Sequence, residues 1–104
     1  MKIETIRSLL KQPFQMTQHA ELRRRQRKIS IPDIMHAILN GEIIEEYPDD
    51  YPHPSCLVLG YTTQGVPLHL VCGVGGETLF LITAYRPDPE RWETDWRTRK
   101  ESNA

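Results

Sequence analysis

The sequence predicts an α+β fold with N-terminal helices packed on a four-stranded antiparallel sheet, and three observations lead there. Apolar residues recur at helical spacing up to Asn40. Beyond Gly41 the period shortens to alternating runs bounded by Gly and Pro. Those runs follow one another with no helical stretch between them, which leaves hairpins as the connections and an antiparallel meander as the sheet. A chain of 104 residues, 38% hydrophobic and 26% charged, is expected to form a single domain with a modest core that needs no staples.

Ile3, Ile6, Leu9 and Leu10 define a leading helix within residues 2–12, stopped by Pro13. Thr17 is placed to cap a second helix that carries His19 to Arg27 toward Ile29. Ser30 caps a third, with Pro32 in its first turn, Asp33 at its positive end and Ile34, Ala37 and Ile38 as its buried stripe. Asn40-Gly41 ends that helix, glycine being suited to left-handed backbone.

Strands are expected over Glu42–Tyr47, Ser55–Tyr61, Val66–Cys72 and Thr78–Tyr85, joined by a Pro-rich connection and two turns. Period 2 places Leu68, Leu70 and Cys72 opposite His69 and Val71, and Leu81, Thr83 and Tyr85 opposite a core set of Phe80, Ile82 and Ala84. Residues 89–99 are expected to form a short last helix.

The net charge of −1 hides a strong sorting along the chain. Five of the six residues from Arg23 to Lys28 are basic, while Glu42 to Asp50 holds five acids and no base. His19, Arg23 and Arg27, at i, i+4 and i+8, form one stripe on a helix. Like charges at that spacing repel unless acids or a bound anion neutralise them, so the stripe reads either as a phosphate site or as a face paired with Glu42–Glu46. Arg24, Arg25 and Lys28 fit a solvated basic surface. His69, Thr83 and Tyr85 share a polar patch if their strands are neighbours, and are otherwise a buried histidine and strand-end residues.

Other chemistries find less support. Cys56 and Cys72 read as buried thiols, a lasting disulfide being unexpected in a reducing compartment. His69-x-x-Cys72 on a strand sends its side chains to opposite faces, and with neither CxxC nor HxxxH present no metal is expected. No Gly-rich triphosphate loop occurs, and Gly73-Val74-Gly75-Gly76 reads as a turn. No cofactor, membrane span or signal peptide is expected, which points to the cytoplasm.

His19-Ala20-x-x-Arg23-x-x-x-Arg27-x-Ile29, Gly41-Glu42-Ile43-Ile44, Tyr47-Pro48-x-Asp50-x-Pro52, Pro67-Leu68-His69 and Thr83-Ala84-Tyr85-x-Pro87-Asp88-x-x-x-Trp92 occur in that order. Together they resemble a prokaryotic family of short proteins, a domain of unknown function grouped by fold with the RelE-like and barnase/EndoU/colicin-type ribonuclease toxins. The resemblance covers about residues 16–92. It implies a RelE/barnase-like fold in which an RNA backbone lies on the sheet face beside the basic helix. It points to His19, Arg23, Arg27, His69, Thr83, Tyr85 and Tyr47 as site residues. Arg24 and Arg25 depart from the pattern, as extra phosphate contacts or as plain surface.

The first functional expectation is therefore a metal-independent, toxin-like endoribonuclease. RNA supplies its own nucleophile, the 2′-OH, so a base, an acid and a cation suffice. His19 or His69 would exchange protons, Arg23 would assist, Arg27, Tyr47 and Arg24 would hold the substrate, and Thr83 and Tyr85 would orient the scissile group. RNA, ribosome-associated or free, and a small antitoxin protein are the expected partners. The alternatives are a non-catalytic RNA- or protein-binding module on the same fold, and an accessory protein whose basic stripe is closed off by Glu42–Glu46. The composite site requires the helix to bring Arg23 or Arg27 to the patch of His69, Thr83 and Tyr85.

Overall fold

Thr17 and Ser30 both cap helices: the Thr17 hydroxyl accepts from the Ala20 amide at 3.0 Å and the Ser30 hydroxyl from the Asp33 amide at 3.2 Å. In the computed structural model, which describes residues 1–12 and 14–101, the elements run α1 (Ile3–Leu9), β1 (Gln15–Met16), α2 (Gln18–Gln26), α3 (Ile31–Leu39), β2 (Glu42–Tyr47), β3 (Ser55–Tyr61), β4 (Pro67–Gly75) and β5 (Thr78–Tyr85). The fold is α+β.

The sheet corrects the four-stranded antiparallel expectation. It has five strands in the order β1-β5-β4-β3-β2, and it is mixed, because β1 pairs parallel to β5 through Gln15↔Phe80 and Met16↔Leu81. Two residues leave no periodicity to read, which is why β1 escapes the pattern. The other pairings are antiparallel, with β3 and β4 in continuous register from Ser55↔Gly73 to Tyr61↔Pro67.

A bulge overturns one face assignment. Val71 pairs with Thr83 but Cys72 pairs with Leu81, so Ile82 is an extra residue that inverts everything before it on β5. Leu81 joins Ala84 in the core, and Phe80 turns to the face of Thr83 and Tyr85. The core proper lies between the helices and one sheet face, where Ile6, Ile34, Ala37 and Ile38 meet Cys56, Val58, Leu68, Leu70, Cys72 and Leu81. Cys56 and Cys72 stand directly opposite each other there as buried free thiols.

Gly41 follows α3 for a different reason from the one expected. Its φ is not positive; a Cβ there would lie 2.5 Å from the Ala37 carbonyl oxygen, and one on Gly60 only 2.1 Å away. Both glycines let α3 sit directly on the sheet. The left-handed position falls instead on Lys28, φ 57°, where Ile29 N–H bonds Arg24 C=O at 2.8 Å and Lys28 N–H bonds Arg25 C=O at 3.2 Å, a Schellman ending for α2.

The helix expected over 89–99 is absent. Asp95 accepts from the Arg97 and Thr98 amides and the Thr98 hydroxyl, which competes with helical pairing, and Trp96 has φ 60°. The segment instead doubles back on itself, and Trp92 and Arg99 form an antiparallel bridge. It is laid across the sheet face that the helices leave uncovered.

Candidate functional site

Register places the polar residues of the uncovered face in rows. His69 pairs with Tyr85 and with Leu59, and Val71 pairs with Thr83 and with Leu57, which in turn pairs with Glu45. His69, Thr83 and Tyr85 thus share one patch. His69 is fully buried, packed edge-on between Tyr85 and Trp92, with the Trp92 ring centroid 4.5 Å away.

The bonds of His69 determine its tautomer. Nε2 lies 2.7 Å from the Trp96 carbonyl oxygen, which can only accept, so Nε2 carries the proton. Nδ1 of the neutral ring is then an acceptor, and the Tyr85 hydroxyl 3.2 Å away donates to it. Burial pushes the imidazole below its ordinary 6.5, against the pull of the Trp96 carbonyl and Glu45, and so favours the neutral ring. Burial also pushes the Tyr85 hydroxyl upward.

The 89–99 segment is fastened by polar contacts. Arg99 makes two bonds to the Glu45 carboxylate, at 2.7 and 2.9 Å, with its guanidinium 4.6 Å from the Trp92 ring centroid; Arg97 pairs with Glu42. Arg99 holds the Glu45 carboxyl below the usual range. Burial, helped by donation to Glu45 at 2.6 Å, raises the Tyr47 hydroxyl to about 12.

Between this segment and the end of α2 opens a cleft of about 630 Å³, lined by Arg27, Tyr85, Arg86, Asp88, Arg91, Trp92 and Arg99. Arg27 and Arg86 form a reciprocal clasp: Arg27 donates to the Ala84 carbonyl at 2.8 Å, and Arg86 to the Arg27 carbonyl at 2.7 Å. Both guanidiniums are therefore held in place by neutral backbone oxygens. Among the described residues Arg27, Arg86 and Arg91 have no carboxylate within salt-bridge distance. Asp88 is the one acid in that lining and stands in no ion pair with them, so the concavity keeps a net positive charge and is receptive to an anion.

Not all of the expected residues meet here. Arg27 reaches the cleft beside Tyr85. His19 is exposed on the first turn of α2, about 12 Å from Arg27 along the helix axis at 1.5 Å per residue. Arg23 donates to Gln26 at 3.0 Å, and Arg24 and Arg25 both bind Glu21. Tyr47 sits with Glu45 on β2, beneath Arg99. The acids of β2 are occupied by Arg97, Arg99 and the N-terminal amine, not by the α2 arginines. Sequence reasoning does not single out Arg86, Arg91, Arg99 or the packing role of Trp92, and it assigns Glu45 to the wrong arginines; Trp92 and Trp96 in an otherwise charged tail are the available signal. Among the described residues no three His, Cys, Asp or Glu converge as a metal site, and no helix is long and apolar enough to cross a membrane.

The molecule is thus an α+β domain with a basic cleft at one end of a mixed sheet. The chain belongs to the family described as Domain of unknown function (DUF4258), which matches residues 16–86. His69, Thr83, Tyr85, Arg27 and Arg86 fall within that match, whereas Arg91, Trp92 and Arg99 lie beyond it. No curated protein and no solved structure matches the chain.

Proposed function

We propose that this is a toxin-like, metal-independent endoribonuclease of RelE/barnase-like type, which holds an RNA phosphate in the arginine cleft and cleaves by attack of the RNA's own 2′-OH. The observation that carries this reading is Tyr85, which lines the cleft and whose hydroxyl donates to a neutral histidine behind it. With its proton directed at His69 Nδ1, Tyr85 Oη has lone pairs free to accept the proton of a 2′-OH. As the 2′ oxygen attacks phosphorus, its proton passes to Tyr85 and the Tyr85 proton to His69, so the enclosed imidazole is the base and the phenol its relay. Arg27, Arg86 and Arg91 meet the charge that grows on the phosphorane, and the 5′ oxygen leaves with a proton from water. Thr83 stands on the same sheet face, two residues before Tyr85 on β5. The reading brings with it an antitoxin protein, RNA that is free or ribosome-bound, and a cytoplasmic setting.

One observation favours a second reading, a non-catalytic RNA-binding module. Both His69 nitrogens are occupied within the protein, and His19, the accessible histidine of α2, stands apart from the cleft. An accessory role without an anion is disfavoured, because the β2 acids leave Arg27, Arg86 and Arg91 unpaired.

Incubation of the purified protein with structured and unstructured RNA in EDTA separates the readings. Cleavage supports the enzyme. Binding that weakens with salt, with slope reduced by about one for Arg91→Ala, but without any cleavage, supports the module.

A further inference from the structure

A second cavity, of about 270 Å³, lies on the same sheet face and is used by nothing in the cleft. From His69, which marks the cleft, to Gly73, which lines this cavity, is four residues of β4, or about 13 Å at 3.3 Å per residue. The Ile82 bulge creates it by turning Phe80 to this face, directly across the ladder from Gly73. The His53 ring stacks on Phe80, with centroids 5.4 Å apart and planes within 15°. Gly75 provides the seat for that ring, since a Cβ there would come within 2.5 Å of it. Gly73 leaves the lining open, and Tyr51, 92% exposed, stands at the edge with no hydrogen bond to its hydroxyl among the described residues. Neither ring nitrogen of His53 has a hydrogen-bond partner among the described residues.

We propose that this cavity is a nucleobase subsite, occupied by a base of the same single strand whose phosphate lies in the arginine cleft; the inference rests on the RNA reading above. Aromatic walls suit any planar base, because every base has a face that stacks. Unpaired imidazole nitrogens suit a base edge, where an aliphatic side chain from a protein partner would leave them unmet. The cationic cleft at one end of the face and the ring pocket at the other match the two parts of a nucleotide chain, backbone and base, over a distance a short extended strand covers.

The test uses the full-length protein and two fluorescent probes, a single-stranded oligoribonucleotide and an abasic ribose-phosphate chain of equal length. Stacking by one base implies that the wild type binds the abasic chain on the order of tenfold more weakly. Phe80→Leu, which removes the stack, and Gly73→Val, which fills the cavity, should each remove that preference and leave the salt slope unchanged. Titration of the wild type with nucleoside monophosphates should shift the Phe80 and His53 ring resonances, a readout that holds if either variant fails to fold. Equal binding of the two probes together with unmoved ring resonances overturns the subsite and leaves the cavity to an apolar side chain of a protein partner. If Arg91→Ala also leaves affinity and salt slope unchanged, the RNA reading itself has failed; if it weakens binding, only the subsite has.

Discussion

The two faces of the sheet are closed by different chemistry. On one, Cys56, Val58, Leu68, Leu70, Cys72 and Leu81 meet Ile6, Ile34, Ala37 and Ile38 from the helices, and the titratable groups among these core residues are two thiols that burial pushes upward, Cys56 to about 11. On the other, Leu57, Leu59 and His69 are equally buried, but beneath a segment tied down by the Trp96 carbonyl, the Arg99–Glu45 pair and the Arg97–Glu42 pair. An apolar cover contributes in proportion to area and works at any pH. A polar cover contributes little net energy per contact but sets tautomers, orients hydroxyls and responds to titration. The comparison teaches that equal burial does not mean equal role: one face holds the fold together, and the other arranges protons beside a cationic cleft.

Substitutions should separate the faces. Tyr85→Phe removes the proposed relay hydroxyl while keeping the ring, so RNA cleavage should fall by about 10²–10⁴-fold, measured as single-turnover rate, with stability changed by only about 1 kcal/mol. His19→Ala should leave that rate within a few-fold. Leu70→Ala on the helix face should do the reverse, losing about 2–5 kcal/mol in denaturant unfolding while the rate per folded molecule persists. A Tyr85→Phe protein that cleaves RNA as fast as the wild type, or a Leu70→Ala protein of unchanged stability, would break the contrast.

Acid should act on the polar face, and weakly on the partly exposed Glu21 pairs of α2, but not on the apolar core. His69 has its pKa lowered from 6.5 and Glu45 from 4.5, so in each window the unfolded chain binds more protons than the folded one. Each contribution is present above the ordinary pKa and is lost as pH falls through the lowered one. Stability should therefore decline below pH 6.5 and again below pH 4.5. His69→Gln should flatten the upper step and Glu45→Gln the lower. Because Glu45 and Arg99 are partly exposed, the pair itself should be worth about 0.2–1 kcal/mol near neutrality. The smallest effect is expected at Lys28, where the left-handed backbone makes Lys28→Gly stabilising by a few tenths to about 1 kcal/mol in thermal unfolding.

Most of the apolar face was legible because it is written in periodicity and caps. Thr17 and Ser30 start α2 and α3 where side-chain oxygens are needed, and the hydrophobic alternation of β4 assigns Leu68, Leu70 and Cys72 correctly. The errors have a shared cause. The Ile82 bulge, the two-residue β1 and the bridge between Trp92 and Arg99 are tertiary events that no local period records. The patch of His69, Thr83 and Tyr85 was readable because no bulge intervenes between Thr83 and Tyr85. The His19, Arg23 and Arg27 stripe was readable as a spacing but not as a destination: only Arg27, at the helix end, reaches the cleft. Arg86, Arg91 and Arg99 come from segments whose approach to α2 depends on the path of the chain after β5.

The most direct measurement of the central claim uses two RNAs identical except for a single 2′-deoxy nucleotide at the cleavage position, each incubated with the wild-type protein in EDTA. The proposed relay predicts that the all-ribose strand is cut to leave a 2′,3′-cyclic phosphate and that the 2′-deoxy strand is bound with similar affinity but stays intact. Cutting of the 2′-deoxy strand at the same bond, or tight binding of both with neither cut, would contradict it.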